Sequence, residues 1–179
     1  DFDESNTNVT TDEILNKVKS LLHSNLNGDD YFNLIFSNID ISRASDQWLP
    51  ADSSTIEDVF YNLDEDPIAS YSNLPSLLSN GINFIKDSEE EGTIILISSS
   101  DQVGTKEVGN KLIEDVMRIN DSKIPIHVAD YQNRNYQYFY IGGRSYYGNE
   151  YFYRNITRLT SANLFSIRNG LTFSNLLSK

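Results

Sequence analysis

Residues 92–104 read "GTIILISSSDQVG", an apolar strand that runs straight into three serines and an aspartate. The "TIILIS" run has no polar alternation, which suits a central parallel strand covered on both faces. In open α/β sheets, ligands sit at the carboxyl ends of the strands. Ser98, Ser99, Ser100 and Asp101 would lie at such an end. They could form part of a metal site, a phosphate-cradling loop, or a polar strand terminus.

Working outward, helix and strand signals alternate. "TTDEILNKVKSLLHSNL" predicts a helix capped by Thr10 or Thr11, with acids in its first turn and an apolar stripe through Ile14, Val18, Leu21, Leu22 and Leu26. "YFNLIFSNI" predicts a strand. "DSSTIEDVFYNL" predicts a helix capped by Ser53 or Ser54. "SNLPSLLSNGINFIKD" predicts another, capped by Ser72 or Asn73, with Pro75 in the tolerated first turn. After the serines come an amphipathic helix through Val108, Leu112, Ile113, Val116 and Ile119, then the strand "IPIHVADY". A helix "NEYFYRNITRLTS", a short strand "NLFSI" and a closing helix "LTFSNLLSK" follow an aromatic segment. This order predicts an α/β fold: a doubly wound, mostly parallel sheet with helices on both faces.

The 179 residues suffice for one domain with its own core. No apolar run is long enough to cross a bilayer, so no membrane insertion is expected. The net charge of -12, from 26 acids against 14 Lys and Arg, argues against nucleic acid as a partner. With no cysteine, thiolate catalysis, disulfides and cysteine-ligated metals are excluded. His23 and His127 stand far apart, without a second histidine at ligand spacing, and read as surface or partly buried residues.

"GTKEVGNK", Gly104–Lys111, nearly matches a phosphate loop between a strand and a helix. Asn110 intervenes between Gly109 and Lys111, which turns the lysine by about 100° around a helix. Leu112 stands where a magnesium-binding hydroxyl is needed. The match fails as a nucleotide site, and a phosphate-handling enzyme relying on Lys111 is the weakest reading. No nucleophile–base or paired-carboxylate arrangement stands out, so the chain is expected not to be an enzyme.

The metal reading draws on other segments. "DESNT" (Asp3–Thr7) sets a carboxylate and two hydroxyls at alternate positions before the first helix; "YSNL" sets Ser72 before another; "SSSD" ends the central strand. These hard oxygen donors suit Mg²⁺, Ca²⁺ or Mn²⁺. In order and content the segments resemble the von Willebrand factor type A domain. That family carries an Asp-x-Ser-x-Ser loop, a later Thr and a later Asp as a metal-ion-dependent adhesion site. Asp3, Ser5 and Thr7 match the first element, with Thr7 for the last serine. Ser72 falls at the threonine. Ser99 falls where the family has its aspartate, and Asp101 is the nearest acid. The resemblance spans nearly the whole chain as a pattern.

It implies a Rossmann-like fold and a binding or adhesion module for a protein or other extracellular ligand at the strand carboxyl edge. It implies an optional divalent cation held by Asp3, Ser5, Thr7, Ser72 and Asp101, and an extracytoplasmic location. The family's first strand precedes the Asp-x-Ser loop. The resemblance therefore leaves that strand missing, or supplied from outside the fragment, and makes the domain, residues 1–179, part of a longer polypeptide. The alternative is a metal-free scaffold domain of a larger secreted or envelope assembly.

Residues 131–148 form a tyrosine-rich insert near the same edge. "YQYFYIGG" predicts a hairpin turning at Gly142 and Gly143. Tyr146, Tyr147 and Arg144 are the expected partner contacts, while Phe139 and Tyr151 are expected to pack against the domain. Asn8, Asn120 and Asn155 stand in Asn-x-Ser/Thr triplets, which arise by chance in so Asn- and Ser-rich a chain.

Overall fold

The computed structural model describes residues 1–37, 40–65, 73–133 and 138–166. In chain order these give α1 (Thr11–Asn25), β1 (Tyr31–Phe32), β2 (Ile35–Phe36), β3 (Ser42–Arg43), β4 (Leu49–Pro50), α2 (Ser53–Glu65) and α3 (Leu74–Ser88). Then follow β5 (Ile94–Ser98), α4 (Lys106–Ile119), β6 (Ile126–Asp130), β7 (Tyr138–Ile141), β8 (Arg144–Tyr147), α5 (Glu150–Leu159) and β9 (Leu164–Ser166). The expected closing helix lies outside the described residues.

Capping sets the helix starts. Thr10 forms a reciprocal capping box with Glu13 at α1, Asn73 accepts from Ser76 N–H at α3, and Thr105 accepts from Val108 N–H at α4. The α2 cap is neither Ser53 nor Ser54. Asp52 accepts from Thr55 N–H at 3.0 Å and from both the Ser54 and Thr55 hydroxyls. A carboxylate takes several donors where a serine takes fewer, and the three bonds hold the Asp52 carboxyl well below its usual range.

Strands β5, β6 and β9 form a parallel sheet in that order, with Leu96 opposite Val128 and Ala129 opposite Phe165. Side-chain alternation divides the core in two. Leu96, Ile126 and Val128 face α3, α4 and α5, whereas Ile95, Ile97 and Ala129 face α1 and α2. Helices thus cover both faces. Lys19 and His23 of α1 both reach Glu57 of α2, at 2.6 and 3.1 Å.

The sheet is not the one mostly parallel sheet expected. The "YFNLIFSNI" segment is broken into β1 and β2, which pair antiparallel with β4 and β3 as separate two-stranded ribbons. Among the described residues no strand joins these ribbons to β5, and at the break the Asn33 side-chain amide donates to the Ser45 and Gln47 carbonyls at 2.8 and 3.2 Å. In α4, Gly109, Leu112 and Val116 are buried while Val108 is exposed, a rotation of the expected stripe. Gly109 causes it: α5 approaches so closely that a Cβ there would lie 2.9 Å from the Tyr151 ring and 3.2 Å from Val103 Cγ1. The glycine that suggested a phosphate loop serves helix packing.

Candidate functional site

The three serines are fully buried, and each is used. Ser98 Oγ donates to Asp1 Oδ2 at 2.7 Å and accepts from the Tyr153 hydroxyl at 2.6 Å and from Ser100 N–H at 3.2 Å. A hydroxyl has one donor and two acceptor positions, so Ser98 is saturated. Ser99 Oγ accepts from Asp3 N–H and donates to the Asp3 carbonyl, both at 2.7 Å, while Ser99 N–H donates to the Asp1 carbonyl at 3.1 Å. Ser100 Oγ accepts from Gln102 N–H.

Two further loops complete this edge. Tyr131 N–H donates to the Ser98 carbonyl, and Asn133 N–H to the Asn6 carbonyl. Asp130, buried at the end of β6, accepts from Gln132 N–H at 3.0 Å and Ser166 Oγ at 3.4 Å. Asn149 bridges the Tyr153 hydroxyl and Val103 N–H. Burial, with Asp130 nearby, pushes the Tyr153 phenol far above its ordinary value, so it stays a neutral donor. The carboxyl edge is a largely buried polar network.

The proposed metal ligands are only partly assembled. Asp3 and Ser99 meet. The Asp3 carboxylate, however, accepts from Ser5 N–H at 2.8 Å and from Asn6 Nδ2 at 3.4 Å, capping the turn Glu4–Asn6. Ser5 is exposed; Thr7 is buried, and its Oγ1 accepts from Val9 N–H. Asp101 is exposed beyond the serines, and Ser72 lies outside the described residues. Among the described residues no three His, Asp or Glu side chains gather as a metal-holding group. A single carboxylate already engaged by two donors, beside a hydroxyl engaged twice by backbone, fits a resident cation poorly.

The histidines have structural partners. His23 pairs with Glu57, and His127 Nδ1 accepts from Asn163 N–H at 3.2 Å. Lys111 is exposed on α4. Asn120 is buried, with its side chain bonded to both N–H and C=O of Ile124, so its triplet offers no accessible amide.

The hairpin forms as expected, with Gly142 and Gly143 both at positive φ (57° and 81°), as a type I′ turn needs. Phe139, Tyr146 and Tyr151 make an inner cluster, with ring centroids 5.4–6.0 Å apart. Tyr138, Tyr140 and Tyr147 form the outer face, at 60%, 68% and 39% exposure. Arg144 lies over Tyr146 and bonds Glu150 at 3.3 Å. Tyr146 therefore sits on the inner side of the hairpin and Tyr147 on the outer. Arg134 and Tyr136 fall outside the described residues.

Sequence reasoning overlooked Asp1, Tyr153, Asn149 and Asp130. The spacing of Phe152, Tyr153, Ile156 and Thr157 along α5 was available, and it marks Tyr153 as inward-facing.

No known family's sequence profile matches the chain, and no curated protein matches it. One solved structure with a similar fold is that of an aerotolerance-related membrane protein from Bacteroides fragilis NCTC 9343 carrying multiple mutations to serines. Its TM-score is 0.54 at 13% identity, over 97% of this chain and 89% of that one. At that identity the likeness is one of fold alone, and it extends along nearly the whole chain.

Proposed function

We propose that this chain is a binding module of the von Willebrand factor A type, non-catalytic and extracytoplasmic, that engages a protein partner without a resident cation. The observation that carries the reading is the outer face of β7–β8. Three tyrosines, Tyr138, Tyr140 and Tyr147, stand exposed beside the carboxyl edge of the parallel sheet. Tyrosine offers wide contact area with little side-chain freedom to lose. The fold likeness supports the module, and the neighbour's description as a membrane protein supports placement at an envelope. No helix among the described residues is long and apolar enough to cross a membrane.

Site-specific photo-crosslinking in the native cell tests this. A crosslinker at 140 or 147 is expected to capture one discrete protein, and one at Tyr61, as exposed on α2 as Tyr140 is on the hairpin, to capture none. Equal capture at all three positions, or at none, would refute it.

A second reading keeps a weak divalent ion at Asp3, Ser5 and Thr7, with Ser72 and Asp101, and a partner carboxylate completing its shell. The convergence of the Asp3 and Ser99 loops favours it. A rise in thermal midpoint with millimolar Mg²⁺, Ca²⁺ or Mn²⁺, lost in Asp3→Ala, would establish it.

A further inference from the structure

Three Asn-Gly pairs stand in the chain, at Asn27–Gly28, Asn80–Gly81 and Asn169–Gly170. The carboxamide of an asparagine can be attacked by the backbone nitrogen of the next residue, and a glycine there puts no Cβ in the way. The last pair lies outside the described residues. The fold treats the other two in opposite ways.

Asn80 is locked. It is half-buried in the middle of α3, where each N–H, that of Gly81 included, donates to the carbonyl four residues back. Its Nδ2 donates to the Ser76 carbonyl at 3.2 Å, and its Oδ1 accepts from Arg43 Nη2 at 2.8 Å. The carboxamide is thus held between Ser76 and Arg43, and the nitrogen that would attack it is engaged in the helix.

Asn27 is exposed, with Gly28 and Asp29, in the turn between α1 and β1. Asp30 N–H closes the turn on the Asn27 carbonyl at 2.9 Å. A Cβ added at Gly28 would meet nothing within 4 Å, and the Gly28 N–H donates to no acceptor among the described residues. Asn27 Oδ1 accepts from Asp29 N–H at 3.0 Å, which folds the carboxamide back over the Gly28 peptide. The same bond draws electron density from Cγ, and it is already aimed at the oxygen that turns anionic when Cγ is attacked.

We propose that Asn27 is a site of spontaneous covalent modification, converted in the folded protein to aspartate and isoaspartate with water as co-reactant. Gly28 N–H gives its proton to solvent base, and its nitrogen bonds Asn27 Cγ. The Cγ–Nδ2 bond breaks, and Nδ2 takes up a proton from water and leaves as ammonia. Water then opens the succinimide ring: attack at Cγ gives aspartate, and attack at the main-chain carbonyl carbon of residue 27 gives isoaspartate. Nothing is oxidised or reduced. Either product sets a carboxylate beside that of Asp30, whose Oδ2 accepts from the N–H of residue 27 at 2.9 Å. Isoaspartate also lengthens the main chain by one methylene inside the turn. The effect reaches the β1–β4 ribbon, because Ala51 N–H donates to the Asp30 carbonyl at 2.9 Å where the two strands meet. The modification therefore loosens that ribbon as a molecule ages, independently of the partner reading and of any cation.

The test incubates the folded chain in warm, mildly alkaline buffer and follows residues 27 and 80 by peptide mapping, with the urea-unfolded chain alongside. Unfolded, both pairs should convert at similar rates. Folding should slow Asn80 many-fold and Asn27 by a few-fold at most. Gly28→Ala, which the open site accommodates, should slow conversion at residue 27 several-fold. Aged protein enriched in isoaspartate by ion exchange should exchange the Ala51 amide several-fold faster than fresh protein. Equal slowing of Asn27 and Asn80 by folding, or conversion in Gly28→Ala as fast as in the unaltered chain, would overturn the proposal. An unchanged Ala51 amide in the isoaspartate form would overturn the link to the ribbon.

Discussion

The Tyr153 hydroxyl lies 2.6 Å from Ser98 Oγ, joining the first turn of α5 to the end of β5 inside the protein. Both residues are fully buried, so neither has water as a substitute partner. Tyr153→Phe leaves the Asn149 amide and one Ser98 acceptor position unsatisfied. A loss of about 1–3 kcal/mol in urea unfolding is expected. A double-mutant cycle with Ser98→Ala should show coupling, with the pair losing less than the two single losses together.

Gly109 and Gly81 should respond oppositely to alanine. At Gly109 the new methyl meets Tyr151 at 2.9 Å, and a loss of about 1–3 kcal/mol is expected. At Gly81 the nearest atom is Ile94 Cδ1 at 3.4 Å, an ordinary contact in the middle of α3. Helix propensity there predicts no loss and a gain of up to about 1 kcal/mol. Chemical denaturation of the two variants gives the comparison.

His127 sets a pH response near neutrality. Burial lowers it from its usual value, and its Nδ1 accepts from Asn163 N–H, which a protonated ring cannot do. It binds its proton less well in the folded state, so unfolding takes up a proton and stability rises with pH through the histidine range. The thermal midpoint should fall as the pH drops below the usual histidine value, and the fall should be smaller in His127→Gln.

Replacing Tyr138, Tyr140 and Tyr147 together by alanine should leave the thermal midpoint within about 2 °C, since exposed sites contribute little to stability. The same triple variant should lose the crosslinked partner when the probe sits elsewhere on the hairpin. EDTA should change neither result.

The parallel half of the fold was legible in the sequence because its signals are local. "TIILIS" and "IPIHVADY" are long apolar runs, and Thr10, Asn73 and Thr105 are capping residues beside clear stripes. The break in "YFNLIFSNI" was not legible, because it depends on the Asn33 side chain reaching the Ser45 and Gln47 carbonyls, 12 and 14 residues along the chain. The position of the serine site was readable from the strand end. Its chemistry was not, since whether Asp3 binds an ion or caps a turn depends on where Ser5 N–H points. Tyr147 and Tyr146 are adjacent in sequence, and only strand alternation sends one outward and the other onto Tyr151.

The bonds that tie Asp1 to Ser98 and Asp3 to Ser99 span 97 and 96 residues of chain. Closing so long a loop carries a large entropic penalty before any contact rewards it. The run from β5 through β9, by contrast, is built from neighbours in sequence. The parallel sheet should therefore assemble early and the serine edge last. Substitutions at Ser99, whose side chain bonds only Asp3, should act almost wholly on the unfolding rate and leave the folding rate nearly untouched.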